Sequence, residues 1–271
     1  MGVIKKILFR WKKAIDLGSV LSLTTTSNSA TWSPSAVINT GSALTWAATG
    51  GVTETIVADD PIFNLSTNVG TVNMSVYDIS LLSQIYFPAL NLTSIDLSEA
   101  SALLNINLNG NTSLTTLDIT SNTALTDLWF GQTGLTSIDL SNNTALTFLY
   151  FNLSIMTSID ITNQTSLDYL TCQGTPLTTL NLSANTVLTH LDCATCNSFT
   201  TLDISNNTLL TFVRIDQNNF SSTVTNSILA SLVSHGLSNG DLTYRNNETG
   251  QGITDRATLI SRGWSIANSP T

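Results

Sequence analysis

Residues 114–122 read LTTLDITSN, and this sequence predicts the fold because its pattern recurs along the chain. Its apolar pattern, L-x-x-L-x-L, occurs twelve times at steps of 10 or 11 residues. The first apolar position falls at Leu92, Leu103, Leu114, Leu125, Leu135, Leu146, Met156, Leu167, Leu177, Leu188, Phe199 and Leu210. A fixed period predicts a solenoid, in which each turn stacks on the one before it.

Two imperfect copies precede the regular array, at Val69-x-x-Val72-x-Met74 and Leu82-x-x-Ile85-x-Phe87. Adding them gives fourteen half-repeats, or about seven turns of two halves each. Side chains alternate along a strand, so positions 4 and 6 of a copy point inward while positions 3, 5 and 7 point outward. We therefore expect a mainly β solenoid with two strands per turn, which form two sheets on opposite sides of a flattened coil.

The regions that flank the repeats differ from them in composition. Residues 1–18 have the periodicity of a short amphipathic helix, and residues 19–68 are turn-rich and strand-like, as in a β-rich N-terminal cap. The solenoid itself is assigned to residues 69–220. Residues 221–271 are predicted to form an α/β C-terminal cap, with one helix that ends before Gly236 and a second that Thr254 caps.

Charge is distributed unevenly along the 271 residues, which carry a net charge of −9. Five of the nine basic residues fall within the first thirteen positions, and after Lys13 no lysine occurs. The predicted anchor consists of Lys5, Lys6, Arg10, Trp11, Lys12 and Lys13. It is either a frayed, solvated tail or a segment that docks on a partner protein or an anionic surface, and we favour the docked anchor.

Several classes of protein are disfavoured by the same composition. An acidic body argues against nucleic acid as a partner, because phosphate binding needs a basic patch. No segment approaches the roughly 20 apolar residues of a membrane span. The run at residues 7–9 is too short for a secretion signal. Cys172 and Cys193 share an inward repeat position and are expected to be core residues, while Cys196 lies in the following turn.

The motif L-x-x-L-x-L with Asn at the ninth position resembles the leucine-rich repeat family. Residues 114–122 and residues 135–143 both follow it. Two such motifs per 21-residue turn look like the nested bacterial class that is common in Bacteroidetes and their phages. The resemblance covers about residues 69–220 and implies a solenoid that supplies a binding surface. The chain departs from the pattern because the ninth-position Asn is kept in alternate half-repeats, at Asn122, Asn143, Asn185 and Asn207, with Ala100 and Gln164 as exceptions.

One outward surface, which we name face A, is nearly uniform. Its central column contains Asp96, Asp118, Asp139, Asp160 and Asp203, flanked by Ser and Thr. We expect the hydroxyls and water to offset the repulsion between carboxylates on neighbouring turns, about 4.8 Å apart. An alternative is a ladder that binds a hard cation such as calcium. The charged column argues against an ice-binding face.

The other outward surface, face B, varies from turn to turn. Its candidate binding residues are Tyr86, Trp129, Phe148, Tyr150, Tyr169, His190, Phe212 and Arg214. Contiguous exposed aromatic residues mark binding sites for proteins, and rigid rings also suit sugars. The alternative is cross-strand aromatic pairing that only stabilises the sheet. We favour binding, because face A shows that the repeat does not require such residues.

These features predict a non-enzymatic protein without a cofactor. His190 and Asp192 point outward, whereas Cys193, which follows Asp192, points inward, so no Cys-His pair is expected on that strand. Our first hypothesis is a phage virion component, docked through the N-terminal helix on another virion protein, whose face B binds a host-surface protein or glycan. The alternatives are a structural or decoration protein of a virion with no host ligand, and a bacterial surface adhesin.

Overall fold

The computed structural model describes the strand residues 20–25, 35–38, 45–49, 54–57 and 72–77, and then residues 82–245 and 247–269. Side chains are described for residues 82–245 and 247–267. The predicted anchor, residues 1–18, lies outside the described residues. Among the described residues, no helix has the length and apolar character needed to cross a membrane.

The elements of the described residues are mostly short strands. The strands are β1 (Val20–Thr25), β2 (Ser35–Ile38), β3 (Thr45–Thr49), β4 (Glu54–Val57), β5 (Val72–Tyr77), β6 (Leu82–Tyr86), β7 (Leu92–Asp96), β8 (Asn105–Asn107), β9 (Asp127–Trp129), β10 (Phe148–Tyr150), β11 (Tyr169–Thr171), β12 (His190–Asp192), β13 (Phe212–Arg214), β14 (Asp241–Arg245) and β15 (Ser265–Ser269). The helices are α1 (Ser222–His235) and α2 (Gln251–Ser261).

A ten-stranded sheet runs along the solenoid in the order β15-β14-β13-β12-β11-β10-β9-β8-β6-β2. All of its pairs are parallel except β2 with β6. Equivalent repeat positions face each other, so that Leu128 pairs with Leu149 and Leu149 pairs with Leu170. The register therefore aligns each outward position of face B into a column along the axis.

The core is built by the apolar repeat positions. Leu114, Leu125 and Leu146 are fully buried, as are Leu128 and Leu149 at the inward position of the strands. The next inward column contains stacked rings, with the centroids of Phe130 and Phe151 5.4 Å apart, and it continues through the buried Cys172 and Cys193. The prediction that these cysteines are core residues is confirmed, and Cys196 is buried as well.

Face A corrects one detail of the predicted architecture, the second strand of every turn. Among the described repeat copies on that side, from residue 92 to residue 204, only β7 is a strand, and residues 114–119, 135–140 and 156–161 have no strand pairing. The position-5 carboxylate accepts the backbone N–H two residues later, as Asp118 does from Thr120 at 3.0 Å. Asp96 on β7 and Asp192 on β12 make the same bond within paired strands, so this turn does not by itself prevent a strand from forming.

A ladder of buried amides holds the face A side together instead. The Nδ2 group of Asn143 donates to the carbonyls of Ile119 at 3.0 Å and Asn122 at 2.9 Å in the preceding turn. The Nε2 group of Gln164 donates the corresponding bond to the Leu140 carbonyl at 2.7 Å, so a buried amide is kept even where Gln replaces the Asn of the motif. Each of these carbonyls also accepts a backbone N–H of its own turn, as Ile119 does from Asn122 at 3.0 Å, so the amide adds a bond from the next turn to a buried group.

At the N-terminal side, five strands form a sheet in the order β4-β3-β5-β1-β7. The imperfect copy at residues 69–74 was expected to begin the solenoid, but β5 pairs antiparallel with β1 and β3. Strand β1 lies between β5 and β7, the strand of the next copy on the same face, so these two copies do not pair directly, whereas the sheet of face B is parallel from β6 onward. The predicted domain boundaries themselves stay predictions.

At the C-terminal side, helices replace the face A half of the turn. Helix α1 is capped by Ser221, whose hydroxyl accepts from the Val224 N–H, and it ends at Gly236 in the left-handed region, with φ of 76°. Helix α2 begins after Gly250 rather than at the predicted cap, Thr254. Because β14 and β15 pair in parallel with the preceding strands, this region continues the sheet of face B.

Candidate functional site

Every exposed carboxylate of face A is engaged by its own chain. The Oδ1 atom of Asp118 accepts the Thr120 hydroxyl at 2.7 Å, and the Oδ1 atom of Asp160 accepts the Thr162 hydroxyl at the same distance. Asp96 and Asp203 accept the backbone N–H two residues later in the same way. These repeated turns therefore have a structural role, because each carboxylate is stabilised by a hydroxyl or a backbone N–H of its own turn.

The pKa values of these carboxyl groups reflect the same bonds. The hydrogen bond from the Thr120 hydroxyl lowers the pKa of Asp118, and the bond from Ser141 lowers the pKa of Asp139. Repulsion from Asp118 acts on Asp139 in the opposite direction and is the smallest of its influences. Local hydroxyls thus outweigh the repulsion between turns.

The cation-ladder hypothesis for Asp96, Asp118, Asp139, Asp160 and Asp203 gains no geometric support. Among the residues that the structure describes, no group of three or more His, Cys, Asp or Glu side chains could hold a metal ion.

Face B contains a continuous stack of aromatic rings. Strand register places Phe148, Tyr169, His190 and Phe212 in one column. Their successive centroids are 4.5, 3.7 and 3.9 Å apart, with interplanar angles of 14°, 12° and 4°. Trp129, from the adjacent column, extends the stack to a fifth ring, 4.7 Å from Phe148 and tilted by 37°. We name these five rings the ring stack.

The orientation of the ring stack determines what a ligand can contact. Because each inner ring lies face to face with the next, its two faces are covered by its neighbours. All five rings are half-buried, and the outward parts are therefore their edges. The edge of an aromatic ring is apolar and carries the positive end of the ring quadrupole. Face B thus presents a strip of ring edges rather than a row of flat platforms.

The remaining predicted residues of face B lie around this stack. Tyr86 is 57% exposed, on β6. Tyr150 lies over Gly131, because a Cβ atom on that glycine would be 2.7 Å from Tyr150 Cε1. A side chain at position 131 would therefore displace the tyrosine ring. The structure brings Trp129, Phe148, Tyr169, His190 and Phe212 together and leaves Tyr86 and Tyr150 outside the stack.

Arg214 is held by two carboxylates on the same face. Its Nη1 atom lies 3.6 Å from Asp192 Oδ2, and its Nε atom lies 3.2 Å from Asp216 Oδ1. Asp192 and Asp216 are 9% and 4% exposed, so the guanidinium group covers them. The sequence predicts Arg214 as a binding residue, but the repeat pattern does not reveal this internal pairing.

His190 is a neutral member of the stack. Desolvation lowers its pKa to about 4, and Asp168 opposes that shift. Its ring is packed between Tyr169 and Phe212, whereas Cys193 is fully buried on the other side of the sheet. The side chains of His190 and Cys193 therefore point in opposite directions, as the alternation of the strand predicts.

Three carboxylates that are not among the predicted binding residues lie at the ends and on one flank of the ring stack. Asp127 pairs with Phe148 at one end of the column, and Asp241 pairs with Phe212 at the other end. Asp168 precedes Tyr169, and it and Asp241 are exposed. The strand register, extended through β14, was the signal that could have located them.

The fold is that of a leucine-rich-repeat solenoid, as solved structures show. It is similar to the functional domain of InlJ from Listeria monocytogenes, which includes a cysteine ladder, with a TM-score of 0.55 and 23% identity over 73% of this chain and 43% of that one. A leucine-rich-repeat protein of Leptospira interrogans gives a TM-score of 0.52 and 17% identity over 65% and 46%. Internalin C2 from Listeria monocytogenes gives 0.51 and 18% over 71% and 83%.

These likenesses concern the fold. The chain spans less than half the length of the first two structures. No protein-family profile matches the chain, and no curated protein matches it.

Proposed function

We propose that this chain is a non-enzymatic recognition protein and that face B binds a protein partner. The ring stack carries this proposal. It places five half-exposed rings side by side on the face whose residues vary, whereas the face A column repeats one carboxylate turn. Aromatic residues supply much of the binding energy in protein interfaces, because they bury a large area at a low cost in conformational entropy.

Ring orientation favours a protein over a glycan as the ligand. A sugar stacks flat on an exposed aromatic face, and the faces of the inner rings are covered by their neighbours. Ring edges instead suit aliphatic side chains and the faces of a partner's own aromatic rings, which pack edge to face. A protein surface offers both.

Binding of the labelled full chain to whole bacterial cells, measured by flow cytometry, tests this proposal. We expect Trp129→Ala combined with Tyr150→Ala to abolish binding without unfolding the chain. The matched control is Asp139→Asn combined with Asp160→Asn on face A, which we expect to bind normally. Protease treatment of the cells should remove binding, whereas periodate oxidation of surface sugars should leave it. Unchanged binding by the face B variant would contradict the assignment.

We further propose the setting of a phage virion, with the basic residues Lys5, Lys6, Arg10, Lys12 and Lys13 docking on another virion protein. The charge contrast supports this proposal, since residues 1–18 contain five basic residues and one acidic residue, and the rest of the chain is strongly acidic. The nested repeat class and an origin in Bacteroidetes or their phages belong to the same proposal.

Sedimentation of the native protein from its source, followed by mass spectrometry of the fractions, tests the virion setting. Co-sedimentation with a large particle is the expected result, and deletion of residues 1–18 should release the folded solenoid from that particle. If the rings of face B are protected from solvent inside the particle, the protein is a structural or decoration component without a host ligand. A small free species, or one found on cells without phage, would favour an adhesin.

A further inference from the structure

The charged groups near the ring stack indicate which charged side chains a partner can carry. Arg214 is the only Lys or Arg on strands β6 to β13, and Asp192 and Asp216 already neutralise it at 3.6 and 3.2 Å. His190 is uncharged at neutral pH because burial lowers its pKa. The other ionised groups next to the stack are therefore carboxylates.

These carboxylates are placed at the ends and on the flank of the stack. Asp127 and Asp241 continue the ring column beyond Phe148 and Phe212, five strand spacings apart, which is about 24 Å. Asp168 flanks the middle of the column. Arg245 lies on β14, beyond the last ring, at a position two outward columns away from Asp241. The result is an apolar strip bordered by negative charge.

From this arrangement we infer that the partner of face B is a foreign protein segment that carries lysine or arginine side chains beside aliphatic ones. This inference rests on the proposed function and specifies its ligand. Aliphatic side chains would cover the ring edges, and the basic groups would pair with Asp168 and Asp241 at the border. Charge complementarity at the rim of an interface accelerates association and excludes acidic partners. An acidic segment would meet like charge at both ends and on one flank of the stack.

Three synthetic peptides of equal length serve as probes: alternating Lys-Leu, alternating Glu-Leu and alternating Lys-Ser. Binding to the full chain is measured by fluorescence anisotropy at low and at physiological salt. We expect the Lys-Leu peptide to bind at least tenfold more tightly than either other peptide. Added salt should weaken it, because exposed charges are screened beyond about 8 Å at physiological ionic strength.

A matched pair of variants separates face B from the general charge of the protein. Asp168→Asn with Asp241→Asn removes two negative charges beside the ring stack, and Asp139→Asn with Asp160→Asn removes two from face A. We expect the first pair to weaken binding of the Lys-Leu peptide about tenfold and the second less than twofold. Equal weakening by both pairs would overturn the inference, since the attraction would then be nonspecific.

Two further outcomes would also overturn it. If the Lys-Ser peptide binds as well as the Lys-Leu peptide, the ring edges make no contribution. If the full chain forms dimers that the Lys-Leu peptide dissociates, the occupant of face B is a second copy of this chain rather than a foreign protein. The two proposals can be distinguished. If Asp168→Asn with Asp241→Asn does not weaken binding of the Lys-Leu peptide, but Trp129→Ala with Tyr150→Ala abolishes binding to cells, the proposed function holds and only the basic character of the partner is wrong.

Discussion

Faces A and B arise from the same repeat, yet they use their outward positions in different ways. The position-5 side chain accepts the backbone N–H two residues later on both faces, as Asp118 does from Thr120 and Asp192 does from Ala194, yet no long sheet forms on face A. On face B, the backbone pairs in parallel and the outward side chains pack on one another. The buried positions therefore determine the fold on both sides, whereas the outward residues vary from turn to turn only on the face whose strands pair.

The largest expected effect concerns the amide ladder beneath face A. Asn143→Ala removes two hydrogen bonds to buried carbonyls and should lower the free energy of unfolding by about 2–3 kcal/mol. The neighbouring Asn142→Ala is the matched control, because Asn142 is exposed and donates one surface bond to the Thr120 carbonyl at 3.1 Å. Urea unfolding followed by circular dichroism measures both. Similar losses in the two variants would show that the buried ladder does not hold the turns.

The next effect concerns the ring stack. His190 contacts a ring on each side, so His190→Ala should destabilise the protein by about 1–2 kcal/mol through lost stacking and burial. His190→Phe keeps a ring at that position and should restore the stability. If the alanine and phenylalanine variants unfold at the same urea concentration, the stack does not stabilise face B.

The pH dependence of stability sharpens the same point. The pKa of His190 is lowered to about 4 in the folded chain, whereas it returns to about 6.5 on unfolding. The unfolded state therefore binds more protons between these values, and stability should fall as the pH decreases from about 6.5 to about 4.

His190→Phe should reduce that slope, and His235, whose pKa is also lowered by desolvation, should account for a remaining part. Urea midpoints at several pH values test this expectation. If stability depends on pH in the same way in the wild type and in the variant, the pKa of His190 is not lowered on folding and its ring is exposed to water.

The smallest effect is expected on the surface of face A. Asp139→Ala removes an exposed carboxylate whose Oδ1 atom accepts the Ser141 N–H at 2.9 Å. Water can replace that bond, so the urea midpoint should stay at the wild-type value. A marked destabilisation would show that the carboxylate turns, rather than the buried amides, maintain this side of the coil.

The sequence predicted the solenoid, the buried columns and the membership of each face, because these follow from strand alternation and the repeat period. It did not predict the missing second sheet, since the L-x-x-L-x-L period is the same in both half-repeats and does not show on which face the backbones of neighbouring turns pair. Nor did it predict the part of His190, which links Tyr169 to Phe212, or the pairing of Arg214. The stacking of His190 and the pairing of Arg214 depend on side-chain rotamers and on distances between turns, and the repeat pattern specifies neither.

We conclude that the rings of face B pack against one another, so that only their edges are available to a partner. Nuclear magnetic resonance of the His190 side chain can test this packing. The claim predicts ring protons shifted upfield by the rings of Tyr169 and Phe212, and a titration midpoint of about 4. Unshifted resonances with a midpoint near the ordinary histidine value of about 6.5 would contradict it, because the rings would then be open and their faces available to a ligand.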